Sequence, residues 1–360
     1  MVSDLKIGQL FMIRFQGVEP SAEVIRLIQE RNIGGVILFA SNCPSIHKTV
    51  ELVGKLKSHA KNFPLCVAID HEGGRVHRLP KPVTHFPPMR LLGKLAEKMP
   101  SANLAWDVGR AMGRELKAIG IDLNFAPVVD VDTNSFNPVI GDRAFSRNAE
   151  VVAMAARQFI QGLQEAKVAG CAKHFPGHGD TDEDSHEVLP RLPHNLKRLH
   201  ALELIPFKAA IEAGVASIMP AHVVYDGIDH GLPATFSLKL LRDLLRNELR
   251  FEGVIISDDL TMGAIAKNGS MEEACVKAFV AGCDWLMVTT TDLKKVGSVI
   301  DFFSRAVDQG KIPMERVENA LKKVAQFKEK FCAAGVGTPN LKVVGSKEHV
   351  YLLNKIKQLA

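Results

Sequence analysis

The sequence predicts an α/β protein: one (β/α)8 barrel of the TIM type with a short C-terminal extension. Three observations carry that expectation. Eight short β-branched or apolar runs recur at intervals of about 25 to 55 residues, each followed by a longer segment with the 3.6-residue period of an amphipathic helix. The runs, VILF and GVIIS among them, are almost continuously apolar, which suits parallel strands covered on both faces. No low-complexity linker interrupts the 360 residues before about residue 333, so one domain fits better than two. An open doubly wound sheet is the alternative, because periodicity alone does not close a sheet. The absence of a G-x-G-x-x-G after an early strand weakens its dinucleotide-binding form.

Taken in order, the first run is Leu10 to Phe15, after which Ser21 can cap a helix reaching Asn32. The second and third runs are Gly35 to Phe39 and Leu65 to Ile69. Ser101 can cap a helix whose Leu104, Val108, Met112 and Leu116 form one stripe, and Gly120 marks its end. The fourth run, Asp122 to Ala126, and the fifth, Gly170 to His174, follow, with Gly170 at a helix-to-strand junction. Ser217 to Pro220, Gly253 to Ser257 and, after Gly282, Asp284 to Val288 complete the eight. The barrel is thus expected over 1–332. Residues 333–360 open on a Gly-rich loop and close on an apolar-basic pattern expected to form a final helix packed on the barrel.

Composition narrows the class. Apolar residues make up 46% and charged residues 24%, the balance of a chain able to bury a large core, which excludes disordered and fibrous classes. No apolar run approaches the roughly 20 residues that span a bilayer, and the start lacks a basic segment followed by an uninterrupted apolar one. No membrane contact and a cytoplasmic location are therefore expected. The net charge of +5 contains no run of five like charges, which gives no sign of nucleic acid. Six singly spaced cysteines, Cys43, Cys66, Cys171, Cys275, Cys283 and Cys332, read as buried reduced thiols. Asn268-Gly269-Ser270 is a formal glycosylation sequon without a secretory context.

In a β/α barrel the chemistry sits at the carboxyl ends of the strands, so the polar residues after each run are the informative ones. After the third comes Asp70-His71-Glu72-Gly73-Gly74-Arg75-Val76-His77-Arg78. Here Asp70 can accept paired hydroxyl hydrogen bonds and Arg78 can bind hydroxyls or a carboxylate, while the glycines read most plainly as a tight turn and Arg75 as a structural ion pair. After the fourth, Asp130 and Asp132 are expected to tie the loop to its own backbone. Arg143 in Gly141-Asp142-Arg143 is a ligand candidate, with local pairing to Asp142 as the rival explanation. The fifth run ends in the densest cluster, Lys173 to His186, in which three His, one Lys, three Asp and one Glu fall within fourteen residues. Two chemistries compete there: a metal site, although no familiar ligand spacing is present, and a proton-transfer loop in which Asp184 orients His186. His222 after the sixth run either lines the pocket or serves the core. After the seventh, one of Asp258 and Asp259 should face the reaction, because consecutive strand side chains alternate; Asp258 is favoured if Ile256 faces inward.

Lys173-His174-Phe175-Pro176-Gly177-His178-Gly179, Asp184-Ser185-His186 and Ser257-Asp258-Asp259-Leu260 together resemble the family 3 glycoside hydrolases, most nearly the bacterial cytoplasmic β-N-acetylglucosaminidases of cell-wall recycling. Asp70 to Val76, the Gly141 to Phe145 loop and Ala281-Gly282-Cys283-Asp284 fit the same pattern over roughly residues 6 to 330. The resemblance implies a retaining enzyme that removes terminal N-acetylglucosamine from 1,6-anhydro-muropeptides. Asp258 would be the nucleophile, His186 the acid/base and Asp184 its partner; Asp70, Arg78, Arg143, Lys173 and His174 would bind the sugar. It implies a carbohydrate as the small-molecule partner, no metal or organic cofactor, and a monomer. A loop-borne histidine would also make catalysis depend on the flexibility of Gly177 and Gly179.

Overall fold

Each apolar run becomes a strand. In the computed structural model, which describes residues 4–267, 269–332 and 340–359, these are β1 (Phe11–Arg14), β2 (Gly35–Leu38), β3 (Cys66–Ile69), β4 (Leu123–Asn124) and β5 (Ala169–Phe175). They continue with β7 (Ser217–Pro220), β9 (Val254–Ile255) and β10 (Leu286–Val288). All are parallel, in the order β10-β1-β2-β3-β4-β5-β7-β9. The ring closes where Ile256 bridges Trp285 and the Ser257 N–H donates to the Trp285 carbonyl at 2.9 Å. The alternative of an open sheet is thereby excluded. Two further short strands, β6 (Arg191–Leu192) and β8 (Val224–Tyr225), pair with each other outside the barrel and have no signal among the eight runs.

Burial explains the near-continuous hydrophobicity of the strands: every residue of β2, β3, β5, β7 and β10 is buried. Phe159, Phe175, Phe207, Phe303 and Trp285 are among the large side chains that fill the layer between sheet and helices. At the amino ends of the strands, charged residues brace the barrel. Asp284 meets Arg246 at 2.5 Å and Arg316 at 3.1 Å, and Asp122 meets Lys57 at 2.7 Å and Lys117 at 3.3 Å. Asp284 is therefore structural, at the end of the barrel away from the chemistry.

Local signals hold with two corrections. Ser21 caps Ala22–Glu30 through Val24 N–H, and Leu104, Val108, Met112 and Leu116 all lie buried on Leu104–Ile119. Ser101 does not cap that helix. It sits in a short turn, Pro100–Ala102, and the helix begins after Asn103 in the left-handed conformation. Gly120, at φ 95°, ends the same helix as expected, whereas Gly170 lies within β5 rather than before it. All six cysteines are buried and free. No helix among the described residues is long and apolar enough to cross a membrane. The expected Gly-rich loop at 333–339 and Asn268 of the sequon lie outside the described residues. Beyond them, helix Lys347–Leu359 buries Ile356, while Glu348 meets Arg114 at 2.9 Å.

Candidate active site

The turn after β3 and the last residues of β5 meet in a buried set of charges. Lys173 Nζ lies 2.8 Å from Asp70 Oδ1 and 2.7 Å from Glu72 Oε1. Arg143 donates through Nε and Nη2 to the two oxygens of Glu72, each at 2.8 Å. Asp70 and Glu72 share a side of the chain because they are two residues apart, which turns the intervening His71 away. Burial alone would neutralise Glu72, yet the charges and hydrogen bonds of Arg143 and Lys173 hold its carboxyl well below the usual range. Lys173 is likewise raised, its desolvation outweighed by Asp70 and Glu72. Two cations and two carboxylates thus form a pre-set polar wall. Arg143 takes Glu72 and not Asp142, which lies 3.7 Å from Arg75. Glu72 is the member that sequence reasoning missed, although its spacing from Asp70 was the available signal.

A second chain of hydrogen bonds fixes His174 and the loop behind it. The Asp130 carboxylate accepts from His174 N at 3.1 Å, from His174 Nδ1 at 2.8 Å and from His178 N at 2.7 Å. Although burial opposes ionisation, His174 and His178 hold Asp130 below its ordinary value. An ionised acceptor places a ring proton on His174 Nδ1 and fixes the ring's orientation. This corrects the expectation for the fourth loop: Asp130 anchors the fifth loop, and Asp132 pairs with Arg90 at 2.6 Å. Burial pushes His178 down to about 4, and its neutral ring bridges Thr181 at 2.9 Å and Ser185 at 3.0 Å.

The Asp184–His186 pair lies further along this loop. Asp184 Oδ1 accepts from His186 N at 2.8 Å and from His186 Nδ1 at 2.7 Å, while the His186 side chain is 64% exposed. Against a modest burial penalty, those bonds keep the Asp184 carboxyl below its ordinary value. Gly263 N–H donates to the His186 carbonyl at 3.1 Å, and Lys267 Nζ to the Glu187 carbonyl at 2.7 Å, tying the loop to the segment after β9. Gly177, at φ 144°, and Gly179 also meet a packing demand beside the flexibility expected of them. A Cβ on Gly179 would lie 1.8 Å from the Val131 carbonyl oxygen, and one on Gly177 would lie 2.9 Å from the Glu203 side chain. Both are close-approach glycines at the packed root of the loop.

After β9 the two aspartates divide as alternation requires. Asp259 is consumed by Thr261 N at 3.0 Å, Thr289 N at 3.2 Å and both threonine hydroxyls. Asp258 accepts from Asp259 N at 2.7 Å, its one hydrogen bond among the described residues. Burial would raise Asp258, but His222, His174 and Lys173 hold its carboxyl below the ordinary value. His222 is buried and satisfied at both nitrogens, by Thr235 Oγ1 at 2.7 Å and the Asp259 carbonyl at 3.0 Å. It therefore supports the seventh strand end rather than offering a free ring nitrogen.

Arg78 has a buried Nε with no hydrogen-bond partner among the described residues and lies 6.0 Å from the Phe39 ring centroid, on which Arg14 also stacks at 4.4 Å. Arg14 and Phe39 lie at the ends of the first two strands; Phe39 had no signal to mark it, and the charge of Arg14 at the end of an apolar run was the signal available for the other. Among the described residues, Cys66, Asp122 and Cys332 alone bring three possible metal-ligand atoms within 4.8 Å of one another. Asp122 and Cys66 are at the amino ends of β4 and β3, and the Asp122 oxygens are already taken by Lys57, Lys117 and the Val67 N–H.

Comparison with known proteins places this geometry. The model of the glycosyl hydrolase family 3 N-terminal domain matches residues 2–327. A β-hexosaminidase of Neisseria meningitidis serogroup C is 43% identical over 259 residues, covering 71% of each chain. The solved NagZ of Neisseria gonorrhoeae, in complex with N-trifluoroacetyl-D-glucosamine, superposes with a TM-score of 0.82 at 34% identity, covering 98% of both chains. A fungal multi-domain β-N-acetylglucosaminidase of the same family gives a TM-score of 0.93 at 34% identity, but the chain covers 42% of that larger protein.

Proposed function

The chain belongs to glycoside hydrolase family 3 as a hydrolase of the β-N-acetylhexosaminidase type, and on that premise we propose that it is a retaining exo-β-N-acetylglucosaminidase acting on 1,6-anhydro-muropeptides in the cytoplasm. The observation that carries this reading is an ionised, half-buried Asp258 at a strand end, together with a histidine whose Nδ1 is fixed by Asp184 and whose carbonyl accepts from Gly263 N–H, five residues beyond Asp258. The Nδ1 bond leaves His186 Nε2 for proton transfer.

In the first step an Asp258 oxygen bonds to the anomeric carbon as the glycosidic C–O bond breaks, and protonated His186 gives its Nε2 proton to the leaving oxygen. In the second, neutral His186 takes a proton from water, the water oxygen bonds to the anomeric carbon, and the Asp258 ester bond breaks. Two inversions give net retention. Asp70, Arg78, Arg143, Lys173 and His174 would hold the sugar, with Arg143 acting mainly through Glu72. Their binding energy orients the anomeric carbon toward Asp258. The reaction as written uses protein groups and water, with the enzyme working as a monomer.

The test is hydrolysis of an aryl N-acetylglucosaminide beside the aryl glucoside, with product configuration followed by NMR. Strong preference for the N-acetylated sugar with a β product is expected. Preference for the glucoside, or an α product, overturns the assignment.

A further inference from the structure

The segment after the barrel ends on a buried carboxylate. Glu115, on Leu104–Ile119, is 1% exposed and receives four hydrogen bonds. Two come from the loop after β3, from Thr84 N at 2.8 Å and Thr84 Oγ1 at 2.7 Å. Two come from the C-terminal segment, from Gly345 N at 3.1 Å and His349 Nδ1 at 2.7 Å. A buried carboxylate demands such donors, so neither pair can leave without exposing a cost at the other. The two segments are also in direct backbone contact. Gly345 has φ 63°, and a Cβ there would lie 2.2 Å from the Pro82 carbonyl oxygen.

The contact leads toward the sugar site in short steps. Two residues beyond Thr84, the Phe86 carbonyl accepts from Gly74 N at 3.0 Å. Gly74 belongs to the turn in which Glu72 N and Gly73 N both donate to the Val76 carbonyl. That turn carries Glu72, which holds Arg143 and Lys173, and it is flanked by Asp70 and Arg78. Thr84 and Gly74 are thus fixed from opposite ends of one loop.

We propose that the C-terminal segment Leu341–Leu359 is a positioning element of the sugar site. His349 and Gly345 complete the donor set of Glu115, Glu115 fixes Thr84, and the Thr84–Phe86 backbone sets the turn bearing Asp70, Glu72 and Arg78. His349 is a positioning residue; it touches no reacting group. The inference rests on the reading of that turn as sugar-binding. A segment that only stabilised the barrel would change melting temperature without changing sugar affinity.

The experiment compares full-length His349→Ala, His349→Asn, Thr84→Val and Ile356→Ala with the unmodified chain, using steady-state kinetics on an aryl N-acetylglucosaminide and amide hydrogen exchange. His349→Ala and Thr84→Val should each raise KM about three- to tenfold with kcat within about twofold, and should speed exchange at Gly74. His349→Asn, whose amide can donate to Glu115, should restore most of the KM. Ile356→Ala removes an apolar contact of the same helix and should lower the melting temperature with KM unchanged. Unchanged KM and Gly74 exchange in both His349→Ala and Thr84→Val would overturn the proposal, as would a rise in KM for Ile356→Ala equal to theirs. An unmodified chain inactive on the aryl substrate would instead defeat the reading of function, and Gly74 exchange would still decide the positioning role.

Discussion

Two regions of one stretch of chain, β5 and the loop that follows it, are built on opposite principles. Lys173 is locked between Asp70 and Glu72 with its side chain 4% exposed, whereas His186 is 64% exposed and aligned by a single carboxylate. In the first region each ion meets a counter-ion largely withdrawn from solvent, so the geometry is part of the fold. In the second, solvent competes with the carboxylate for the exposed imidazole, so the ring can change position at little cost to stability. The contrast matches the division of labour proposed for them: a rigid receptor for the sugar and an adjustable donor of protons. Substitutions in the two regions should therefore fail in different ways.

The largest effect is expected at Asp258. Asp258→Asn removes the nucleophile and should reduce turnover by on the order of 10⁴-fold or more. Calorimetric binding of N-acetylglucosamine should survive, because the Lys173 wall is untouched. His186→Ala comes next. It should slow hydrolysis of poor leaving groups by about 10²–10⁴-fold, and of good leaving groups much less, with no loss of melting temperature. Equal losses for the two kinds of leaving group would remove His186 from the acid role.

Glu72→Gln tests the buried side of the contrast. Removing one partner of a buried charge set costs about 3–5 kcal/mol, because Arg143 and Lys173 are left undercompensated. Unlike His186→Ala, this variant should unfold at lower denaturant concentration and bind the sugar more weakly. Its pH dependence has a definite sign. Glu72 is held well below its ordinary range in the fold, so its contribution is complete above the unfolded value of about 4.3 and is lost progressively as pH falls below it. The melting temperature of the unmodified chain should therefore fall more steeply on acidification below about pH 4.5 than that of Glu72→Gln. Parallel curves would show that Glu72 is not the group responsible.

Legibility in the sequence followed the same physical line. Strands were readable because a parallel strand covered on both faces admits little but apolar residues, and the polar residues that end them stood out against that background. Alternation called for only one of Asp258 and Asp259 to face the reaction, and it favoured Asp258 on the condition that Ile256 faces inward. Glu72 was hidden because its partners come from elsewhere, Arg143 from the loop after β4 and Lys173 from β5 itself, and only the fold brings them together. Asp130 was misread for the same reason: a short-range rule for Asp in turns lost to a long-range pair with His174. Ser101 failed more locally, since Pro100 and the left-handed Asn103 leave the helix to start without a side-chain cap. Phe39 carried no signal, because an apolar residue at a strand end reads as packing, whereas Arg14 was passed over although it is a charge ending an apolar strand.

The smallest expected effect sharpens where the adjustable region begins. Glycine in a mobile loop suggests a hinge, and in that case Gly179→Ala would slow turnover while leaving stability intact. The structure gives Gly179 another task, since its α-carbon lies so close to the Val131 backbone that a methyl group would sit 1.8 Å from a carbonyl oxygen. Backbone cannot move aside as a side chain can, so the cost should appear as lost stability, about 1–3 kcal/mol. Thermal unfolding and turnover measured on one sample separate the two accounts. A lower melting temperature with turnover per folded molecule nearly unchanged places the root of the loop with the rigid receptor, and motion of His186 must then arise beyond Gly179. A slower reaction at unchanged melting temperature would return the hinge to Gly179 and move the boundary between the two regions back toward His174.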